Sequence, residues 1–503
     1  MTLHNLLSGL DYECLQGSTD CPIRQIHSDS RALKAGDLFI CISGFKQDGH
    51  DFIAAAMKAG VRAIVLETET TYHAAVGAPI CRPPSPAENV SIIKVADSRH
   101  AMALIAANFY RHPARELKTI AITGTKGKTT TAYMIHAILT AAGYKVGLIG
   151  TIEVIIGARR IPAQNTTPES VLLQRYLREM ADAGLDMVVM ETASQGFKLH
   201  RTAGILFDIG IFTNLSPDHI GHGEHADFNE YLECKRMLFR QCRTGFVNKD
   251  DAYYEQIIAG HGCEMFTYGM GPSADLYALD MELYRGGGDL GVRFRLGGLM
   301  NFSLSVAMPG RYSVKKSLAA LLCCHHFGVS EEIICRALMH IKVKGRVEML
   351  NVSDDYTLLI DYAHNAMSLN SLLMSLREYG PERLVCLFGC GGNRDRARRH
   401  EMGLVGARRA DLSIITSDNP RDEDPAAIIA DIRAGSIAGG GAFVEIADRR
   451  AAIAYVLDTA RPGDIIVLAG KGHEDYQEIK GKKYPMDERE IVEAWKKSTP
   501  TSS

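Results

Sequence analysis

The sequence has no long apolar run and almost no net charge. Its 503 residues include 56 lysines and arginines against 59 aspartates and glutamates, so the formal net charge is −3 and no general basic field is available to hold nucleic acid. No segment approaches the roughly 20 apolar residues that cross a bilayer, so no membrane span is expected. The amino-terminal residues lack the basic stretch and apolar core of a secretion signal, and we therefore expect a cytoplasmic protein.

Cysteines at metal-site spacing are also lacking. The 12 cysteines are scattered, and neither Cys323 with Cys324 nor Cys386 with Cys390 has the spacing of a zinc site. Reduced thiols are the expectation. Hydrophobic residues make up 46% and charged residues 23% of the chain, which excludes a disordered or fibrous protein. At roughly 150 residues per domain, the length accommodates about three domains.

Alternating helix and strand patterns predict an α/β protein with domain boundaries near residues 113 and 345. Residues 1–113 form a small α/β unit, and residues 114–345 open with a strand, a glycine-rich turn and a helix. Residues 346–503 repeat strand then helix, which is typical of a doubly wound, Rossmann-like parallel sheet with ligands at the carboxyl ends of its strands. The predicted strands lie at 61–66, 119–122, 187–190, 208–212, 357–360, 384–388, 412–416, 443–446 and 465–468, with a hairpin at 284–298, and the predicted helices at 54–59, 101–110, 128–142, 317–327 and 331–340.

The segment TGTKGKTTT (residues 123–131) lies between a predicted strand and a predicted helix. Its glycines allow backbone N–H groups to close on phosphate oxygens, and the helix N-terminus adds positive potential. Lys128 is placed to reach the β- and γ-phosphates, and Thr129 to put its hydroxyl on Mg²⁺. Ile122 stands where the strict phosphate-loop pattern has its first glycine, so the alternative is an ordinary glycine turn with a surface lysine. The predicted ATP contacts of this loop are Gly124, Thr125, Lys126, Gly127, Lys128, Thr129 and Thr130.

Two polar residues follow other predicted strands. Glu191 ends the apolar run 187–190, and a carboxylate at a strand tip can hold Mg²⁺ against phosphates. His219 follows the strand at 208–212. Taken alone, a strand-end glutamate is usually solvated, and a lone histidine is more often structural than a metal ligand.

Eight motifs occur in order along nearly the whole chain. They are TGTKGKTTT (123–131), ETAS (191–194), TNLSPDH (213–219), GR (345–346), DYAHN (361–365), FGCGGNRDR (388–396), DNPR (418–421) and AGKGHEDYQ (469–477). Together they resemble the motifs of the Mur ligases of peptidoglycan synthesis, and most specifically the MurE group, which adds an amino acid to a UDP-N-acetylmuramoyl-dipeptide. The resemblance implies a UDP-sugar-binding domain (1–113), a central ATP-binding domain with a P-loop-type sheet (114–345) and a Rossmann-like amino-acid-binding domain (346–503).

The resemblance also implies roles for residues of the first two domains. Ser30, in SDSR (28–31), matches the uridine-side loop, for which a plain capped turn is the alternative. Lys235 matches the lysine that family members carbamylate, and a solvated lysine on an amphipathic helix is the alternative. The implied contacts of the muramoyl-peptide are Thr166, Thr167, Ser194 and Arg201. The implied catalytic residues are Lys128, Glu191, His219 and Lys235, and the implied Mg²⁺ ligands are Thr129, Glu191, His219 and carbamylated Lys235.

In the third domain, DNPR is the motif of the diaminopimelate-adding enzymes of this family. A distal carboxylate on the amino acid requires a guanidinium fork such as Arg421, and a distal ammonium requires a carboxylate such as Glu474. The alternative is that Arg421 pairs on the surface with one of the acidic residues at 422–424. The implied amino-acid contacts are Arg394, Asp418, Asn419, Pro420, Arg421, Gly470 and Glu474. Arg346 and Asp361 match nucleotide contacts, whereas His364 in the same motif is equally well a structural loop histidine.

Three segments depart from the family pattern and indicate a divergent member. In GRYSVKK (310–316), Ser313 and Lys316 stand where the family has two asparagines, the second of which contacts adenine. IGHGEH (220–225) replaces the common LDYHG, and DYAHNA (361–366) replaces DYAHTP.

The sequence therefore predicts a monomeric, Mg²⁺- and ATP-dependent ligase that adds meso-diaminopimelate to UDP-MurNAc-L-Ala-D-Glu through an acyl phosphate. L-Lysine or another diamine is the alternative amino acid. Folylpolyglutamate synthetase shares the logic of the central domain but explains neither DNPR nor the first domain. A nucleotide-binding module without ligase activity is the alternative from another class.

Overall fold

The computed structural model describes residues 1–44, 47–68, 90–218, 220–221, 223–286 and 288–498. The chain divides into two compact units, Met1–Thr267 and Tyr268–Ser503. These two units do not correspond to the three functional domains predicted with boundaries at residues 113 and 345, and that division stays a prediction. None of the helices in the described ranges combines the length and apolar character needed to cross a membrane.

The first unit begins with a five-stranded sheet that is parallel except at one edge. The strands Leu38–Ile40 and Ala63–Leu66 are fully buried. The helix Ser98–Phe109 is capped by Asp97, whose side chain accepts the His100 N–H at 2.8 Å. The predicted helices and strand of this region are confirmed with ends shifted by up to three residues. The strands, in spatial order, are Glu13–Gln16, Ser91–Lys94, Ala63–Leu66, Leu38–Ile40 and Ile26–His27, and the helices are Leu3–Leu6, Ile53–Lys58 and Ser98–Phe109.

A second sheet in the same unit carries the phosphate-loop segment. Its central strands, such as Met187–Glu191, are buried on both faces, as their near-continuous apolar runs require. The predicted strands 119–122, 187–190 and 208–212 are confirmed with ends shifted by one residue at most, whereas the two other parallel strands and the antiparallel hairpin at the edge were not predicted. The parallel strands, in spatial order, are Cys242–Asn248, Phe207–Phe212, Lys118–Thr123, Met187–Glu191 and Val146–Ile149, followed by antiparallel Glu153–Ile156 and Arg159–Pro162. The helices are Lys128–Ala141, Ser170–Asp182, Ser194–Lys198, Phe228–Arg236 and Tyr254–Ile258.

The second unit contains antiparallel strands and then the predicted doubly wound sheet. The strand Asp464–Ala469, last of this sheet in the chain, lies between Thr357–Asp361 and Arg383–Phe388 and runs parallel to both. This insertion brings the carboxyl ends of early and late strands together. The sheet, in spatial order, is Glu348–Leu350, Thr357–Asp361, Asp464–Ala469, Arg383–Phe388, Leu412–Ile415 and Phe443–Glu445, with only the first strand antiparallel.

In the described part of this unit, the remaining elements are two hairpins, of which one was predicted, and seven helices. The hairpin begins earlier than predicted: the strand Leu276–Gly286 pairs with Asp289–Gly298, which in turn pairs with Ser303–Val306. A second hairpin, Tyr476–Ile479 with Lys482–Pro485, was not predicted. The helices are Tyr312–His326, Glu331–Met339, Ala366–Arg377, Ala397–Arg409, Pro425–Gly439, Arg449–Asp458 and Glu488–Ser498.

A buried ion pair ties two of these helices to the sheet. Arg449 and Glu488 are almost fully buried and lie 2.8 Å apart, and Arg449 also donates to the carbonyls of Ser417 and Ala469. Removing one partner leaves the other charge buried without compensation, which costs far more than an exposed pair contributes.

We therefore expect Arg449→Met to lower the free energy of unfolding by about 3–5 kcal/mol, measured by urea unfolding. The matched control is Arg433→Met, because Arg433 forms a half-exposed pair with Glu445 at 3.5 Å. Equal unfolding midpoints for the two variants would contradict the importance of the buried pair.

Candidate active site

The phosphate-loop segment has the predicted strand, glycine turn and helix, and the neighbouring strand end holds it in place. Gly124 has φ +146°, and a Cβ there would lie 2.0 Å from Thr213 Oγ1, so only glycine fits. Thr213 Oγ1 donates to the carbonyl of Lys126 at 2.8 Å. Asn214 accepts the Lys126 N–H at 2.9 Å and donates back to the Lys126 carbonyl at 2.8 Å. The sequence reasoning missed both residues as supports of the loop, although they directly follow a predicted strand.

The helix Lys128–Ala141 directly follows Gly127, which is its N-cap residue and has φ +90°. Lys128 Nζ lies against the loop, where it donates to the carbonyls of Gly124 at 2.7 Å and Thr125 at 3.2 Å. Thr130 is buried in the first turn. The loop thus places a lysine ammonium and a helix N-terminus at one point, as phosphate binding requires.

Glu191 is the centre of this site. It is 0% exposed, so the alternative of a solvated glutamate is wrong. Its Oε2 accepts the hydroxyls of Thr129 at 2.8 Å and Thr151 at 3.0 Å, and its Oε1 accepts the Thr151 N–H at 2.8 Å. Thr151 was missed, although it follows the strand Val146–Ile149 and thus stands where functional loop residues are expected.

The residues predicted to hold the muramoyl-peptide adjoin Glu191. The hydroxyls of Thr166 and Thr151 lie 3.0 Å apart, and Thr167 Oγ1 donates to the Glu191 carbonyl at 3.1 Å. Arg201 donates to the Thr167 carbonyl at 2.9 Å and pairs with Glu169. The structure therefore brings Thr166, Thr167 and Arg201 together at the strand tip.

Ser194, the fourth of these residues, opens the helix Ser194–Lys198 and is buried. Its Oγ lies 2.8 Å from His225 Nε2, and His225 Nδ1 lies 3.5 Å from Glu230. His225 belongs to the divergent segment 220–225, and its part in this site was not predicted.

Lys235 is 1% exposed, so the alternative of a solvated lysine is wrong. Its Nζ lies 4.5 Å from the centroid of the Tyr231 ring, and the Tyr231 hydroxyl lies 3.0 Å from Thr125 Oγ1. Burial lowers the pKa of Lys235 well below its ordinary value, and the nearby Lys128 ammonium lowers it further. The helix Phe228–Arg236 thus carries a lysine biased toward its neutral amine beside the phosphate loop.

The outcome differs for two further predicted residues. His219 lies outside the residues that the structure describes. Ser30 lies at the start of the short helix Ser30–Ala32, which Asp29 caps by accepting the Arg31 N–H at 3.0 Å. The capped-turn alternative therefore describes its local structure, and its contact with uridine stays a prediction.

The predicted nucleotide residues of the second unit lie close together. The Arg346 guanidinium stacks 4.6 Å from the centroid of the Tyr362 ring. Asp361 accepts the N–H groups of Val347 and Ala363, each at 2.8 Å. Burial raises the pKa of Asp361, against the opposing effects of Arg346 and these two bonds.

The two divergent residues have different environments. Ser313 is buried and donates to the Pro309 carbonyl at 2.8 Å, so its side chain has a structural partner. Lys316 Nζ lies 4.3 Å from the Tyr312 ring centroid. Burial lowers the pKa of Lys316 to about 8, with Asp361 opposing this shift and Arg346 adding to it.

Most of the predicted amino-acid residues form one hydrogen-bonded group at the carboxyl ends of the doubly wound sheet. Asn419 Nδ2 donates to Glu474 Oε2 at 2.8 Å, and Lys471 Nζ contacts Asn419, Glu474 and Asp418. Gly470, with φ +109°, packs against Asp418. The sequence reasoning missed Lys471, although it stands inside the motif AGKGHEDYQ.

Arg421 joins this group from its own turn, where it has φ +51°. It donates to the carbonyl of Gly392 at 2.6 Å and pairs with Glu478 at 3.3 Å. The predicted surface alternative is wrong because the acidic residues at 422–424 have other partners: Asn393 donates to Asp422, Arg399 pairs with Glu423, and Asp424 caps a helix. Pro420 is buried beside Arg421, whereas Arg394 is exposed in the loop before the helix Ala397–Arg409.

The oxygen atoms around Thr129 suit a hard divalent cation. Mg²⁺ is usually bound by one or two protein oxygens together with substrate phosphates and water. A hydroxyl and a carboxylate in contact, as in Thr129 and Glu191, fit that requirement. Within the described ranges, no group of three or more histidine, cysteine or acidic side chains could hold a metal by itself.

Comparison with known proteins places the whole chain in one family. Residues 22–110 match the description "Mur ligase family, catalytic domain", residues 122–324 "Mur ligase middle domain" and residues 345–472 "Mur ligase, glutamate ligase domain". Proteins named UDP-N-acetylmuramoyl-L-alanyl-D-glutamate–2,6-diaminopimelate ligase are 39% identical in Clostridium tetani and 40% identical in Caldanaerobacter subterraneus subsp. tengcongensis, each over 98% of both chains. A solved structure with the same name is 28% identical, with a TM-score of 0.70 over 99% of both chains. The chain therefore belongs to the Mur ligase family.

Proposed function

We propose that the protein is an ATP-dependent ligase that adds meso-diaminopimelate to UDP-MurNAc-L-Ala-D-Glu in peptidoglycan precursor synthesis. The observation that carries the proposal is the buried Glu191 carboxylate, which accepts the Thr129 hydroxyl at the first turn of the helix after the phosphate loop. The names of the relatives from C. tetani and C. subterraneus support the same substrates for this chain.

The first half-reaction activates a carboxylate of the UDP-sugar dipeptide. This carboxylate attacks the γ-phosphorus of ATP, ADP leaves, and an acyl phosphate forms. The Lys128 ammonium and the N–H groups of the following helix turn stabilise the negative charge on the transferring phosphoryl group. Thr167 and Arg201, which adjoin Glu191, hold the dipeptide at the same strand edge.

Thr129 and Glu191 would hold Mg²⁺, which when bound neutralises charge on the phosphate oxygens. His219 is proposed as a further ligand. We also propose that Lys235 is carbamylated, because burial favours the neutral amine that adds CO₂. The resulting anion would be a ligand of a second Mg²⁺.

The second half-reaction takes place at the acyl carbon. The amine of the incoming amino acid attacks this carbon, and phosphate leaves. We propose that Arg421, with Arg394 and Asn419, binds the distal carboxylate of meso-diaminopimelate, and that Glu474 binds its distal ammonium. Arg346 and Asp361 are proposed to contact the nucleotide.

L-Lysine or another diamine is the competing substrate within this chemistry, since it shares the distal amine but lacks the carboxylate. A nucleotide-binding protein without ligase activity is the competing function from another class. The buried Glu191 and Lys235 beside the half-buried Lys128 disfavour it, because polar groups are costly to keep in the protein interior without use. The cytoplasmic location and the monomeric state stay predictions.

Lys128→Ala is expected to lower kcat by about 10²-fold or more, because it removes the positive charge that stabilises the transferring phosphoryl group. ADP release is measured with the UDP-sugar dipeptide and meso-diaminopimelate. The matched control is Lys145→Ala, which removes an exposed lysine before the strand Val146–Ile149. Near-full turnover in Lys128→Ala would contradict the phosphate-loop assignment, and sustained ADP release without the dipeptide would contradict ligation.

A carbamate on Lys235 is expected to give a ¹³C NMR carbonyl signal when the protein is equilibrated with ¹³C-bicarbonate. Lys235→Ala should lack this signal and be nearly inactive, because an anionic metal ligand is lost, and acetate should partly restore turnover. An unmodified lysine in the wild type together with an active alanine variant would refute the carbamate.

The amino-acid preference is expected to favour meso-diaminopimelate over L-lysine by about 10²-fold or more in kcat/KM, because lysine leaves the carboxylate-binding donors unpaired. Arg421→Ala should remove most of this preference without changing the KM for ATP. Arg433→Ala, at a surface pair in the same unit, is the control. Equal rates with the two amino acids in the wild type would show that Arg421 does not read a carboxylate.

A further inference from the structure

We infer that Lys471 is a positioning residue for the amino-acid substrate. Its buried ammonium sets the orientations of Asn419 and Glu474 and thereby makes the site select a substrate with a distal ammonium. The inference rests on the proposed function, which supplies the substrate, but its evidence is the geometry around Lys471.

The Lys471 side chain is fully buried. Its Nζ donates to Asn419 Oδ1 and to Glu474 Oε2, each at 3.0 Å, and lies 3.6 Å from Asp418 Oδ1. The same atom is 5.3 Å from the centroid of the Tyr476 ring. Because an ammonium without partners is costly in the protein interior, these contacts constrain the side chains that make them.

Only one orientation of the Asn419 amide satisfies its neighbours. Oδ1 accepts from Lys471 Nζ and from the backbone N–H of Glu478 at 2.9 Å. Nδ2 therefore points away from both donors and donates to Glu474 Oε2 at 2.8 Å. A reversed amide would turn an NH₂ group toward two donors, so Lys471 and the Glu478 N–H together determine which face of Asn419 is a donor.

The carboxylate of Glu474 is held by one of its two oxygens. Oε2 accepts from Asn419 and Lys471, whereas no hydrogen bond within the described ranges reaches Oε1. The side chain is 17% exposed, so the carboxylate is not fully closed off from solvent. Lys471 thus fixes the Glu474 rotamer in a position where one oxygen remains to accept an incoming ammonium.

The charges indicate the same substrate class. Two carboxylates, Asp418 and Glu474, face the Lys471 ammonium, so the contacts of Lys471 contain one more negative than positive charge. Arg421 and Glu478 pair with each other and do not change this balance. One further ammonium, such as that of a diamino acid, compensates the charge.

The experiment compares meso-diaminopimelate with 2-aminopimelate, which keeps the distal carboxylate and lacks the distal amine. The wild type should prefer meso-diaminopimelate in kcat/KM by about tenfold or more, as a charge-assisted hydrogen bond requires. In Lys471→Met the preference should fall close to one, with a higher KM for meso-diaminopimelate and an unchanged KM for ATP. Lys471→Gln, which keeps a donor without the charge, is measured alongside in case the methionine variant does not fold.

Arg383→Met is the matched control. Arg383 pairs with buried Asp464 at 2.6 Å at the amino end of the same sheet, so its loss destabilises the unit away from the amino-acid residues. A general loss of stability lowers the activity with both substrates equally and leaves their ratio unchanged. If a folded Lys471 variant keeps the wild-type ratio of kcat/KM for the two substrates, the inference about Lys471 is overturned, whereas the proposed function is not. A wild type that ligates neither amino acid would overturn the proposed function instead.

Discussion

A carboxylate buried away from water must have its oxygens satisfied by the protein, and Glu191 imposes this constraint on the residues around it. Its strand lies between Lys118–Thr123, which leads into the phosphate loop, and Val146–Ile149, which leads to Thr151. Donors therefore converge on Glu191 from both sides. The Thr167 hydroxyl also bonds the Glu191 backbone, so the candidate sites for phosphate, metal and dipeptide share one structural centre.

The second unit shows the same constraint with the opposite charge. Lys471 follows the strand Asp464–Ala469, which is inserted between two earlier strands of the sheet. Its neighbours are satisfied by each other: Asn419 bridges Lys471 and Glu474, and Glu478 connects the group to Arg421. In both units a buried ionised group organises polar side chains that arrive from distant parts of the sequence.

The departures from the family pattern have physical consequences at the candidate nucleotide residues. Lys316 stands in place of an asparagine, and a lysine donates hydrogen bonds but accepts none. It offers no acceptor to an adenine amino group, so any contact that it makes with the base differs from that of an asparagine amide. Its pKa of about 8 also gives this position a charge that changes near neutral pH. In the divergent segment 220–225, His225 Nε2 lies 2.8 Å from Ser194 Oγ, so the divergence reaches one of the residues that are proposed to contact the dipeptide.

The sequence by itself determined the α/β class, the parallel strands of the doubly wound sheet, three strands of the phosphate-loop sheet and the phosphate loop, because apolar periodicity and glycine spacing are local properties of the chain. It also indicated the strand-end residue Glu191, since the carboxyl ends of parallel strands are where ligands bind, whereas Asp418 and Asn419 were implied by the resemblance of the motif DNPR. Only the tertiary structure decided which of these residues are buried and what they contact. Solvated alternatives for Glu191 and Lys235 and a surface pair for Arg421 were open in the sequence, because burial depends on elements far away in the chain. Thr151, Asn214 and Lys471 acquire their roles through hydrogen bonds to residues about 40 to 90 positions away, and no local pattern specifies such contacts.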